Sequence, residues 1–194
     1  TKAAGYYRDR VDGTRAPQEL LVADARFAGT RKADDADVVT FTRSRFEEFP
    51  DIWVTDLGLD DPVKVTDANP QQSEYSWGSA EIVEWTSNDG IPLQGILYKP
   101  DGFDPNEEYP MMVYFYERMS DGLHNYSVPA AGSSSINTSF YVSRGYLLFV
   151  PDIPYKIGYP GESAVDAVVP GVLDLIDQGF VDRAKVGVQG HSWG

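Results

Sequence analysis

The sequence predicts an α/β fold in its longer C-terminal part, preceded by a region of short β-strands. Two runs, residues 110–116 and 146–150, are almost continuously apolar, which is typical of strands covered on both faces and therefore of a parallel sheet. Helix-like stretches separate the strands of this part, and such an alternation is the pattern of α/β proteins. Upstream, strand-like segments recur at spacings of roughly 10 residues, which favours an all-β unit.

The N-terminal region, residues 1–74, is interpreted as one β domain. Its candidate strands are β-branched, aromatic or alternating segments at 19–23, 37–43, 51–56 and 62–66. Turn-prone stretches separate them, which indicates a sandwich, a barrel or a propeller blade. The composition becomes polar around Asn69-Pro70-Gln71-Gln72, so we place the junction between about 68 and 78 and assign residues 75–194 to a second domain.

The second domain is predicted to begin with a β-hairpin. Residues 80–86 and 91–99 alternate between apolar and polar side chains, and Asp89-Gly90 lies between them. An Asp-Gly pair flanked by alternating strands is a strong hairpin signal. Both strands are expected near an edge of the sheet.

Two helices are predicted between the buried strands. The first covers residues 135–144 and ends at Gly145, and the second ends at Gly179. Ser163 and Asp166 have the spacing of a capping box, which places the start of the second helix there. Pro170 interrupts the apolar helical pattern and predicts a kink or a later start.

The last five residues, Gly190-His191-Ser192-Trp193-Gly194, have the pattern Gly-x-Ser-x-Gly and follow the strand-like residues 185–189. A strand that ends in this pattern predicts a nucleophile elbow, a sharp turn that exposes a strained serine at its tip. The glycines on both sides are needed because side chains there would collide with the neighbouring backbone. Ser192 is therefore the candidate nucleophile, at the carboxyl end of a strand, where ligands bind in such folds.

The composition excludes several functions. The net charge of −14 disfavours nucleic acid as a partner, since phosphates need a basic surface. No cysteine is present, and the two histidines, His124 and His191, form no pair with metal-ligand spacing, so we predict no metal and no cofactor. No apolar run is long enough to span a membrane, and nothing in the composition assigns a compartment.

The order and spacing of four segments, at 110–120, 145–151, 174–182 and 190–194, resemble the prolyl oligopeptidase family of serine peptidases. Within it the likeness is greatest to the bacterial dipeptidyl-peptidase and acylaminoacyl-peptidase-like branch, and it covers about residues 75–194. The resemblance implies the N-terminal half of an α/β-hydrolase sheet, preceded by short strands from the end of a β-propeller. It also implies a peptide substrate.

The resemblance further implies roles for three residues. Ser192 corresponds to the nucleophile that attacks the peptide carbonyl carbon. The backbone N–H of Trp193 and the hydroxyl of Tyr116 correspond to the two donors of the oxyanion hole. Asp152, Tyr155 and Tyr159 follow the second buried strand, and we expect structural roles for them.

The chain departs from the family in its catalytic base. The family order of serine, acid and histidine places both partners of the serine downstream of Ser192, where only two residues follow. His124 is expected to be a solvated loop residue, and the His191 side chain to point away from the serine. We therefore expect an inactive fragment, whose exposed apolar sheet edge needs the missing C-terminal half or another chain.

Two other functions fit the residues. An esterase would share the fold, but esterases usually have a His-Gly-Gly oxyanion loop, which this sequence lacks. A non-catalytic binding module that retains the elbow is the third possibility. An acid and a histidine at suitable downstream positions would distinguish the enzymes from the binding module.

Overall fold

The computed structural model describes residues 1–130 and 134–194. They form two compact units, Thr1–Gln72 with His124–Tyr126, and Ser73–Leu123 with Ser127–Gly194. The assignment of 1–74 to a propeller and of 75–194 to a hydrolase domain stays a prediction.

The first unit consists of antiparallel strands. β1 (Ala4–Arg8) pairs with β2 (Gln18–Ala23). A four-stranded sheet follows in the order β3-β4-β5-β6, formed by Arg26–Lys32, Val39–Ser44, Asp51–Thr55 and Val63–Lys64. The four predicted strands of this region are confirmed, whereas β1 and β3 were not predicted from their polar, arginine-containing sequences.

The second unit is built on a five-stranded sheet of order β11-β9-β10-β8-β7. Its strands are β7 (Ser79–Thr86), β8 (Pro92–Lys99), β9 (Tyr109–Phe115), β10 (Leu147–Pro151) and β11 (Val181–Gly190), and its helices are α1 (Thr138–Val142) and α2 (Pro160–Asp177). Short 3-10 turns lie at Pro70–Glu74 and Ser120–Gly122. The chain therefore has a sheet-rich, mixed α/β fold.

The pairing of the strands follows their sequence patterns. β7 and β8 form the predicted antiparallel hairpin. β9 pairs in parallel with β10 on one side and with β11 on the other, which confirms the parallel arrangement predicted from the apolar runs. Every residue of β10 is buried, as expected for a strand with layers on both faces. Strand β9 thus lies between β10 and β11, and its carboxyl end lies beside that of β11.

Helix α1 is shorter than the predicted 135–144. Asn137 caps it, because its side chain accepts a hydrogen bond from Phe140 N at 3.0 Å. Gly145 follows the helix with φ of 81°, a left-handed conformation that suits glycine. The predicted glycine stop is therefore confirmed.

The predicted start of α2 is wrong. The helix begins at Pro160, since proline suits the first helical position, and Ser163 lies buried inside its first turn. The Ser163 hydroxyl accepts from Lys156 N at 3.0 Å and donates to Tyr159 O at 2.8 Å. The end at Gly179 is confirmed, with φ of 92° at this glycine.

Helix α2 continues through Pro170. Proline has no N–H, so the carbonyl of Asp166, four residues earlier, loses its helical donor. Asn88 N, in the turn between β7 and β8, donates to that carbonyl at 3.0 Å. The turn between β7 and β8 thus supplies the donor that the proline lacks. The same hydrogen bond attaches α2 to the sheet.

Candidate active site

The elbow at the end of β11 has the conformation that the sequence predicts. Ser192 has φ of 57°, in the left-handed region that costs a non-glycine residue roughly 1–2 kcal/mol. Gly194 N donates to His191 O at 3.0 Å and closes the turn. Ser192 is exposed, so its hydroxyl group lies on a strained, accessible tip.

Both glycines of the motif lie against backbone atoms. A Cβ at Gly190 would come within 2.3 Å of the carbonyl carbon of Gly194. A Cβ at Gly194 would come within 2.1 Å of the carbonyl oxygen of Phe115, the last residue of β9. These approaches explain the glycines physically, because no side chain fits at either position.

The pairing of β9 with β11 brings the other candidate groups to the same edge of the sheet. Phe115 pairs with Gly190, so Tyr116 follows β9 directly and Ser192 follows β11 after one intervening residue. Tyr116 is 40% exposed. The register therefore places Tyr116 and Ser192 at neighbouring strand ends.

Trp193 contributes a backbone N–H and an aromatic surface to this edge. Its side chain is half exposed, and its ring packs edge-on against Tyr155 with centroids 5.4 Å apart. Burial and the nearby negative charge of Glu117 both raise the pKa of Tyr155. The Tyr155 phenol is therefore neutral at physiological pH and forms an aromatic wall next to the elbow.

The loop after β9 is attached to the loop after β10. Ile153 N donates to Glu117 O at 2.9 Å. The buried carboxylate of Asp152 accepts from Met119 N at 2.6 Å and from Ser120 N at 2.8 Å, and the Ser120 hydroxyl donates to its second oxygen. A structural role was predicted for Asp152, and these hydrogen bonds agree with it. Its position after a buried strand was the available signal, but its partners, over 30 residues away, were not predictable.

The two histidines lie in different surroundings. His124 is buried, and its Nε2 lies 2.8 Å from Asp24 Oδ1 in the first unit, so the prediction of a solvated loop histidine is wrong. Partial burial raises the pKa of Asp24, but the hydrogen bond and charge of His124 outweigh it and lower the pKa overall. His191 is exposed within the elbow.

Within residues 1–130 and 134–194, no three acidic, histidine or cysteine side chains are grouped as metal ligands. No helix in the same part of the chain is long and apolar enough to cross a bilayer.

Comparison with known proteins gives relatives that are named as peptidases. The probable chloroplastic glutamyl endopeptidase of Arabidopsis thaliana is 28% identical over 131 residues, and dipeptidyl peptidase 8 of Mus musculus is 30% identical over 129 residues. Each alignment covers 59% of this chain and 14% of the relative. The matched stretch is thus about one seventh of either relative's length. No family model matches the chain.

Solved structures share the fold. The apo form of the AtxE2 isopeptidase superposes with a TM-score of 0.71 at 17% identity, covering 98% of this chain and 31% of that one. A structure from a study of two prolyl endopeptidases gives 0.60 at 14% identity, covering 91% and 27%. The likeness extends over both units of the chain.

Proposed function

We propose that this chain, which belongs to the prolyl oligopeptidase family of serine peptidases, provides the nucleophile and the oxyanion-stabilising groups of a peptidase active site. The observation on which the proposal rests is the strained, exposed Ser192 at the end of β11, beside the strand end that bears Tyr116. The curated relatives are named as an endopeptidase and a dipeptidyl peptidase. The substrate proposed for this chain is therefore a peptide.

The proposed architecture follows from the two units. The order β11-β9-β10-β8-β7, with β7 and β8 antiparallel to their neighbours and the other strands parallel, supports the first half of an α/β-hydrolase sheet. The four-stranded antiparallel sheet of the first unit supports a blade from the end of a β-propeller. In the sheet formed by the described residues β11 is an edge strand, and its Val188 is 68% exposed. We propose that further strands, from the same gene product or a partner chain, cover this edge.

The proposed reaction begins when Ser192 Oγ attacks the carbonyl carbon of the scissile bond and a histidine base accepts the hydroxyl proton. The carbonyl oxygen becomes an oxyanion, which accepts hydrogen bonds from Trp193 N and the Tyr116 hydroxyl. The histidine then gives its proton to the leaving amine, and an acyl-enzyme on Ser192 remains. Water attacks this ester by the same steps in reverse, which releases the acid and restores the serine.

The base and its acid are proposed to come from outside these 194 residues. His124 is engaged by Asp24 in the first unit. His191 precedes the serine in a turn whose closing hydrogen bond runs from Gly194 N to His191 O. Serine without a base is a poor nucleophile, so this polypeptide by itself is expected to show no turnover.

Kinetics of the serine variant test the proposal. In the full-length gene product, Ser192→Ala should abolish hydrolysis of chromogenic peptides, with a fall in kcat of roughly 10⁶. Ser143→Ala, an exposed serine after α1, is the matched control and should retain full activity. If the Ser192→Ala variant were as active as the wild type, Ser192 would not be the nucleophile. Turnover by the 194-residue chain that depends on Ser192 would contradict an external base.

A further inference from the structure

We infer that Asp152 is a positioning residue for the oxyanion hole, because its carboxylate fixes the loop on which Tyr116 lies. The inference rests on the proposed function and extends it by one residue that does not touch the substrate. It assigns a task to a buried carboxylate that the reaction itself does not use.

The loop after β9 is held at three places. At its start, Phe115 pairs with Gly190 of β11. In its middle, Glu117 O accepts from Ile153 N at 2.9 Å. At its end, the Asp152 carboxylate accepts from Met119 N and Ser120 N at 2.6 and 2.8 Å and from the Ser120 hydroxyl. Tyr116 lies between the first two attachments, so its hydroxyl depends on the whole set.

Asp152 is itself rigidly held. It follows Pro151 of β10, which pairs with Gly95 of β8, and Asp152 N donates to Gln94 O at 3.0 Å. Its side chain is 7% exposed and that of Ser120 is 2% exposed. Hydrogen bonds from neutral donors to a buried carboxylate are stronger than neutral pairs. Asp152 thus attaches the loop after β9 to the five-stranded sheet.

The Asp152 carboxylate accepts from both backbone N–H groups through Oδ1 and from the Ser120 hydroxyl through Oδ2. An asparagine would keep all three contacts, because its oxygen can accept from the two N–H groups and its NH₂ group can donate to the Ser120 hydroxyl oxygen. Asp152→Ala is therefore the variant that breaks the attachment. Misplacement of a catalytic group by about 1 Å can cost roughly 10² in rate.

The first unit offers a matched control. Asp51 is 4% exposed and also accepts from a backbone N–H, a hydroxyl and another side chain, namely Ala68 N, Thr66 Oγ1 and Lys64 Nζ. Asp51→Ala makes the same chemical change at a carboxylate that fastens a different loop. Loss of structure in general would affect both variants, whereas loss of oxyanion positioning would affect only Asp152→Ala.

The experiment measures kcat and KM of the full-length gene product with a chromogenic peptide, together with amide hydrogen exchange of the loop. Asp152→Ala should lower kcat by roughly 10² with KM changed less than about 3-fold, and should speed exchange at Met119 and Ser120. Asp51→Ala should keep kcat within about 2-fold. In a Tyr116→Phe background, Asp152→Ala should lower kcat by less than about 3-fold, because the hydroxyl that it positions is already absent.

Each other outcome has a definite meaning. Unchanged kcat in Asp152→Ala, or a full 10²-fold loss that persists in the Tyr116→Phe background, overturns the inference. A wild type that neither hydrolyses peptides nor reacts at Ser192 overturns the proposed function, and this inference with it. If Asp152→Ala does not fold, Ser120→Ala removes one of the three hydrogen bonds and should lower kcat by about 3- to 10-fold only while Tyr116 is present. A loss of kcat that is independent of Tyr116 again overturns the inference.

Discussion

Replacement of Trp85 by phenylalanine should destabilise the second unit by about 2–3 kcal/mol. Trp85 lies at the end of β7, and its Nε1 donates to Ala167 O of α2 at 2.8 Å. Its ring also packs edge-on against Phe149 of β10, with centroids 5.2 Å apart. The indole therefore joins α2 to the sheet that positions the elbow, by one hydrogen bond and one aromatic contact.

The magnitude follows from what phenylalanine lacks. A buried hydrogen bond contributes about 1 kcal/mol. The smaller ring leaves a cavity of roughly 40 Å³, which at ~24 cal/mol per Å³ costs about 1 kcal/mol before the lost transfer free energy of the removed atoms is added. The gap is expected to persist, because Trp85 is only 8% exposed and the backbone of Gly171 already lies directly against the indole.

Urea unfolding followed by far-UV circular dichroism measures the effect, and Trp53→Phe is its control. The buried Nε1 of Trp53 has no hydrogen-bond partner among the described residues, so removal of that donor should offset the lost packing and change stability by less than about 1 kcal/mol. The urea midpoint of Trp85→Phe should fall by about 1 M. A loss below about 1 kcal/mol for Trp85→Phe, or an equal loss for Trp53→Phe, would refute the reasoning.

Two further predictions concern Pro170 and Asp24. Pro170→Ala should stabilise the protein by about 1 kcal/mol, rather than by the ~3 kcal/mol typical of an interior proline. The gain is small because Asn88 N already donates to the Asp166 carbonyl. A gain of ~3 kcal/mol in thermal unfolding would contradict this reasoning. The pKa of Asp24 lies below its ordinary 3.8. The contribution of this carboxylate to the free energy of unfolding is therefore full above about pH 4, and it disappears as the pH falls through the lowered pKa. Asp24→Asn should therefore reduce the loss of unfolding free energy that urea titrations measure at acid pH. An unchanged pH dependence would contradict the lowered pKa of Asp24.

The apolar patterns of the sequence were sufficient to predict most strands of both units. The continuous apolar runs at 110–116 and 146–150 predicted a parallel pair of strands, because few other arrangements bury both faces of a strand. By contrast, Arg26–Lys32 forms β3 although its sequence is polar. Its pairing with β4 depends on a neighbour rather than on its own pattern.

The contacts that the sequence did not reveal have a common physical origin. His124 was expected in solvent, yet it is buried, and its Nε2 contacts the carboxylate of Asp24, 100 residues away. Asp152 was not recognised as the anchor of the Tyr116 loop, because its partners belong to a different strand end. Pro170 was expected to disturb α2, but Asn88 supplies the missing donor. In each case the deciding contact joins distant parts of the chain, which a single sequence does not reveal.

The central claim is that Ser192, Tyr116 and Trp193 act on one carbonyl group. The most direct test is a crystal structure of the full-length gene product after reaction with a peptidyl phosphonate, whose phosphonyl oxygen imitates the oxyanion. We expect a covalent bond from phosphorus to Ser192 Oγ, with the phosphonyl oxygen about 2.7–3.1 Å from both Trp193 N and the Tyr116 hydroxyl. Attachment to another residue, or a phosphonyl oxygen bound by neither donor, would contradict the account.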